Sequence, residues 1–102
     1  MTVVVVATVY PASGRAGEVR AALLRAVPRV HAEDGCELYA LHESADRLVL
    51  VEKWTSAEAL ATHAAAEALA DLRGDLDGLT TADLDIQVLA PVAAGRPDQG
   101  VL

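Results

Sequence analysis

At 102 residues the chain has the length of one domain, and 15 acidic against 8 basic side chains leave a formal net charge of −7. Apolar residues make up 53% of it, which excludes a disordered or solvating segment, and a net-negative chain without a basic patch is a poor nucleic-acid binder. Alanine supplies 21 of the apolar residues, Phe is absent and the only aromatics are Tyr10, Tyr39 and Trp54, so the core must be aliphatic.

Met1 to Tyr10 contains an apolar run with no Lys or Arg before it, too short to span a bilayer. It reads as neither signal peptide nor membrane helix, and the expected location is cytoplasmic. Val3 to Tyr10 is β-branched, ends at Pro11, and predicts a first strand apolar on both faces. Ser13, Gly14 and Gly17 break it. Val19, Leu23, Ala26, Val27 and Val30 then recur at helical spacing, predicting a helix over Arg15 to Glu33. Pro28 lies inside it and must cost the hydrogen bond to the Leu24 carbonyl. The arginines at 15, 20, 25 and 29 scatter around that helix and read as solvated positions rather than a basic face.

Gly35 ends the segment, and Glu37 to Glu43 predicts a second strand. A short polar connection, Ser44 to Arg47, leads to a third strand over Leu48 to Trp54, antiparallel to the second as a hairpin. The second helix starts at Thr55, whose pairing with Glu58 matches a capping box, with Ser56 as the alternative cap. Leu60, Ala61, Ala64, Ala65 and Ala68 form its expected apolar face, and Gly74 and Gly78 bracket a leucine-spaced turn. Leu84, Ile86 and Val88 alternate with Asp83, Asp85 and Gln87 as the clearest half-buried strand. From Pro91 the composition turns to Gly, Pro and Ala. The expected division is a domain over residues 1–92 and a tail over 93–102.

The order β-α-β-β-α-β is the ferredoxin-like arrangement, an α+β fold with both helices on one face of a four-stranded antiparallel sheet. Val3, Val5, Ala7 and Val9 point to one face and Val4, Val6 and Thr8 to the other; Leu48 and Leu50 oppose Val49 and Val51 in the same way. Both faces are therefore apolar, and one chain covers only one of them. At about 25 cal/mol per Å² of apolar surface, a bare sheet face forgoes many kcal/mol. A homodimer packed sheet to sheet is the expected remedy.

No phosphate loop, nucleophile elbow or close histidine pair is present, and the lone Cys36 excludes an intrachain disulfide or a multi-cysteine metal site. His63 lies three residues after Leu60 and four before Glu67, at the edge of the apolar face. Imidazole exchanges protons near neutral pH, so a histidine there can serve a cleft; it can equally pack at the boundary, bonded to Glu67. Glu52 and Trp54 share one face of the third strand. A carboxylate on an apolar strand implies a pocket or a partner arginine or histidine. Trp54 offers a flat face for a ligand or fills the core. Tyr39 and His42 point to opposite faces of the second strand; Cys36 reads as a small buried residue, and His31 as a favourable cation near a helix end.

The stretch Glu33-Asp34-Gly35-Cys36-Glu37-Leu38-Tyr39, with Val51-Glu52-Lys53-Trp54-Thr55-Ser56-Ala57-Glu58-Ala59-Leu60 and His63, resembles the antibiotic biosynthesis monooxygenase domain. The resemblance spans residues 3 to 90 and implies a dimeric α+β barrel of ferredoxin-like protomers. It implies an oxygenase that needs neither metal nor flavin and acts with O₂ on a small quinol, phenolic or polyketide-like aromatic. In those terms His63 relays a proton, Glu52 orients it or the substrate, and Trp54, Leu60 and Tyr39 contact the substrate. A non-catalytic or isomerase-like barrel that binds a small ligand is the alternative. Haem-degrading relatives use an asparagine, which this chain lacks. Ala64, Ala65, Ala66 and Ala68 stand where relatives often carry phenylalanines, which implies a roomier pocket or a different ligand.

Overall fold

β1 (Val3–Val9) forms the centre of the sheet because its β-branched residues supply apolar side chains to both faces. The computed structural model describes all residues, Met1–Leu102. After β1 come α1 (Ala16–His31), β2 (Cys36–Glu43), β3 (Leu48–Trp54), α2 (Ala57–Ala64), α3 (Glu67–Leu76) and β4 (Asp85–Leu89). The four strands pair antiparallel in the order β2-β3-β1-β4. This is the expected ferredoxin-like fold, with three helices rather than two.

Register separates the two faces. Val5 opposes Glu52 and Val88, and Ala7 opposes Leu50 and Ile86, so all six side chains share the helix-covered face. Val5, Ala7, Val9, Leu48, Leu50 and Trp54 are buried there against Val19, Leu23, Ala26 and Val30 of α1 and Leu69, Leu72 and Leu76 of α3. Val4, Val6, Val49 and Val51 lie on the opposite face, half-buried, with no helix over them.

α1 keeps Pro28 on its exposed side, where a missing hydrogen bond is least costly. Its arginines are tied to acids: Arg15 to Glu18, Arg20 to Glu43, Arg25 to Asp75 and Arg29 to Asp71. The start of α2 is corrected by one residue. Thr55 donates its backbone N–H to the Gly35 carbonyl and stays with the strand, so Ser56 caps the helix, its Oγ accepting from the Ala59 N–H at 3.0 Å.

The expected single second helix is two. α2 and α3 are separated at Ala65 and Ala66, and Ala66 is extended at φ −78°, ψ 157°. In one unbroken helix, at about 100° per residue, Leu72 would point about 180° away from His63. The break lets both face the sheet. The buried face is therefore His63, Ala68, Leu69, Leu72 and Leu76, whereas Ala61, Ala64 and Ala65 are exposed and Gly74 lies within α3.

β4 is also corrected. It pairs with β1 as expected, but Ile86 and Val88 are 43% and 59% exposed, because the helices cover β1, β3 and β2 and leave this edge strand open.

Gly35 turns the chain from α1 into β2 at φ +83°, and a Cβ there would lie 2.5 Å from the Ala59 Cβ and 2.7 Å from the Thr55 Oγ1. Gly35→Ala is expected to destabilise the fold by about 2–5 kcal/mol, combining left-handed strain with overpacking. The midpoint of urea unfolding measures it; a change under 1 kcal/mol, about what an ordinary surface substitution costs, would contradict this reading.

Candidate active site

A cavity of about 180 Å³ lies between the sheet and the broken helix. Its floor is Val5 and Ala7 of β1, Tyr39 of β2 and Leu50 and Glu52 of β3; its roof is Leu60, His63 and Ala64 of α2 with Leu69, Leu72 and Arg73 of α3. Ile86 and Val88 form the wall at the open edge, which is why these two apolar side chains remain uncovered. The helix break and the bare edge strand are thus two parts of one feature, an apolar chamber entered beside β4.

Polar groups at its buried end form a connected set. His63 is only 5% exposed, and its Nδ1 lies 2.7 Å from Glu33 Oε1. A carboxylate can only accept, so Nδ1–H donates and Nε2 is left as the nitrogen free to accept a proton. The imidazole stacks on Trp54 with ring centroids 4.5 Å apart and meets Tyr39 edge-on at 5.7 Å. Trp54 Nε1–H donates to Glu52 Oε1 at 3.0 Å. Burial raises the pKa of the Glu52 carboxyl, against the lowering effects of the Trp54 hydrogen bond and His63, while Glu33 adds to the rise. Burial likewise raises the Tyr39 hydroxyl, reinforced by Glu52 and Glu33. Glu33 Oε2 is buried with no hydrogen-bond partner.

Several expected placements change. His63 bonds to Glu33, 30 residues away in sequence, and Glu67 is not its partner. Glu52 is held by the indole N–H, not by an arginine or histidine. Tyr39, Leu60, Glu52 and His63 line the cavity, but Trp54 does not. Fully buried, it backs His63 and Glu52 and fixes both. Ala64 lines the cavity, whereas Ala65, Ala66 and Ala68 do not. His42 is exposed on the opposite sheet face, and His31 Nε2 hydrogen-bonds the Tyr39 carbonyl at 3.0 Å. Cys36 is half-buried, its thiol pushed up by burial and by Glu33 and Glu52.

Glu33 is the functional candidate that sequence reasoning passed over. It follows the end of α1 in the turn closed by the Cys36 N–H to Glu33 carbonyl bond, and Gly35 sets the direction of that turn. Its position immediately before Asp34-Gly35, at the mouth of a strand leading to Tyr39, was the available signal.

The same fold occurs in known proteins. The protein named "Putative monooxygenase Rv0793" from Mycobacterium tuberculosis is 36% identical over 92 residues, covering 88% of this chain and 91% of that protein. Its solved structure superposes with a TM-score of 0.86 at 33% identity, covering 94% of this chain and all of the other. PA3566 from Pseudomonas aeruginosa superposes with a TM-score of 0.83 at 25% identity, covering 90% and 95% of the two chains. The family model described as antibiotic biosynthesis monooxygenase matches residues 2–74, which carry every polar group at the buried end of the cavity. The chain therefore belongs to the antibiotic biosynthesis monooxygenase family.

Proposed function

We propose that the protein is a monooxygenase that oxidises a small quinol, phenolic or polyketide-like aromatic with O₂, without metal or flavin. The observation that carries this reading is the buried His63, hydrogen-bonded to a half-buried Glu33, at the end of an apolar chamber large enough for a small ring system. A substrate hydroxyl or activated C–H that meets Nε2 gives up its proton to His63, and the resulting imidazolium is held against Glu33. The electron-rich anion left behind reduces dioxygen. One oxygen atom ends in the product and the other leaves as water, so the substrate supplies all the electrons. Apolar walls exclude bulk water while the anion persists. The imidazolium returns its proton to the oxygen that leaves as water, and Glu52, whose pKa burial raises, orients His63 or the substrate.

Oxygen uptake against a panel of reduced quinones and anthrones, with and without a chelator, tests the reading. Uptake matched one to one by product and unchanged by the chelator is expected. Turnover without oxygen uptake would assign isomerisation instead, and tight binding without turnover would assign a ligand-binding module.

The proposal includes a homodimer located in the cytoplasm. Val4, Val6, Leu38, Val49 and Val51 make the uncovered sheet face apolar, and a second copy presents the matching surface. No helix is long and apolar enough to cross a membrane. Sedimentation at micromolar concentration is expected to show two chains per particle, and Val51→Asp to shift it toward one. A stable wild-type monomer would rule out the dimer.

A further inference from the structure

Of the chain's seven arginines, Arg15, Arg20, Arg25, Arg29, Arg47 and Arg96 each hold a carboxylate within 3.4 Å. Arg73 holds none, and it lines the cavity. It also lines a wider open groove of about 740 Å³, which shares Leu84 with the cavity. Asp77 and Asp83 line that groove without forming an ion pair with it. The chamber is therefore asymmetric: Glu52 and His63 are buried, whereas Arg73 is exposed. Apolar side chains make up most of the lining between them and cannot solvate an ion.

We infer that Arg73 selects substrates carrying an anionic substituent, a carboxylate, on the side of the ring away from the reacting hydroxyl. This rests on the oxygenase reading of the same cavity and narrows its substrate class. An anion placed at the buried end would meet the Glu52 carboxyl, with no arginine or lysine among the lining residues there. At the exposed end it meets a guanidinium whose planar fork fits a carboxylate. Charge thus sets the direction of binding and brings the neutral hydroxyl to His63. Arg73 acts here on specificity and orientation and takes no part in proton transfer.

Isothermal titration calorimetry with 4-propylphenol and 3-(4-hydroxyphenyl)propanoate tests this by binding alone, since the two differ in the anionic end group. Wild-type protein is expected to prefer the carboxylate by on the order of tenfold, the scale of one charge-assisted contact near solvent. Arg73→Gln should abolish that preference and leave propylphenol binding within about twofold, while Arg73→Lys restores part of it. Equal binding of both ligands by wild type, or a preference that survives Arg73→Gln, overturns the role of Arg73 and leaves the oxygenase reading standing. Failure of both ligands to bind wild type overturns both. Selective binding without any oxygen uptake supports the Arg73 role and counts against the oxygenase alone.

Discussion

Replacement of His63 by alanine is expected to lower the turnover of an accepted quinol by about 10²–10⁴-fold, the range supplied by a positioned general base. The effect falls on kcat, because the imidazole contributes little of the apolar surface that binds a ring. Steady-state oxygen uptake, corrected for the uncatalysed rate, measures it. Glu33→Gln should produce a smaller loss. The amide oxygen can still accept from Nδ1–H, so the tautomer persists, but no charge remains to hold the imidazolium. A His63→Ala protein that folds, binds ligand and turns over at the wild-type rate would remove His63 from the mechanism.

Trp54→Ala is expected to cost about 3–5 kcal/mol from loss of a fully buried aromatic ring. The Glu52 carboxyl would then lose its indole partner while staying buried, which adds about 1–3 kcal/mol. A domain of this size has a total stability of about 5–15 kcal/mol, so the variant should be near the limit of folding at 25 °C. Trp54→Phe separates the two contributions: it keeps most of the ring and removes only the N–H donor. Urea unfolding at a fixed protein concentration measures both variants, since the proposed dimer would make stability depend on concentration. If Trp54→Phe costs as much as Trp54→Ala, the indole hydrogen bond carries the stability and the packing argument fails.

Local pattern revealed much of this molecule. Alternation along Val3–Val9 and Leu48–Trp54 assigned side chains to the faces they occupy, because strand parity is a property of the backbone. Shared parity likewise put Glu52 and Trp54 together. The helix break was hidden because alanine favours continuation and no Gly or Pro marks the site. Only the angular mismatch between His63 and the leucines at 69, 72 and 76 signals it. β4 looked half-buried because its alternation is correct, but whether a helix covers an edge strand depends on helix placement, which no alternation encodes. The Glu33–His63 pair joins a turn to a helix across 30 residues, and the nearer Glu67 offered a local partner that the fold does not use. Trp54 stands where the motif puts it but braces the site from behind rather than lining it.

If His63 takes the proton whose loss makes the substrate reactive toward O₂, its contribution must vanish once the substrate arrives without that proton. The most direct test is the ratio of wild-type to His63→Ala rates across pH, using a quinol whose first ionisation is lowered by ring halogens into the range where the protein stays folded. The ratio is expected to be large below that ionisation and to fall toward one above it, where the substrate is already deprotonated. A ratio that stays constant through the ionisation would contradict proton abstraction by His63.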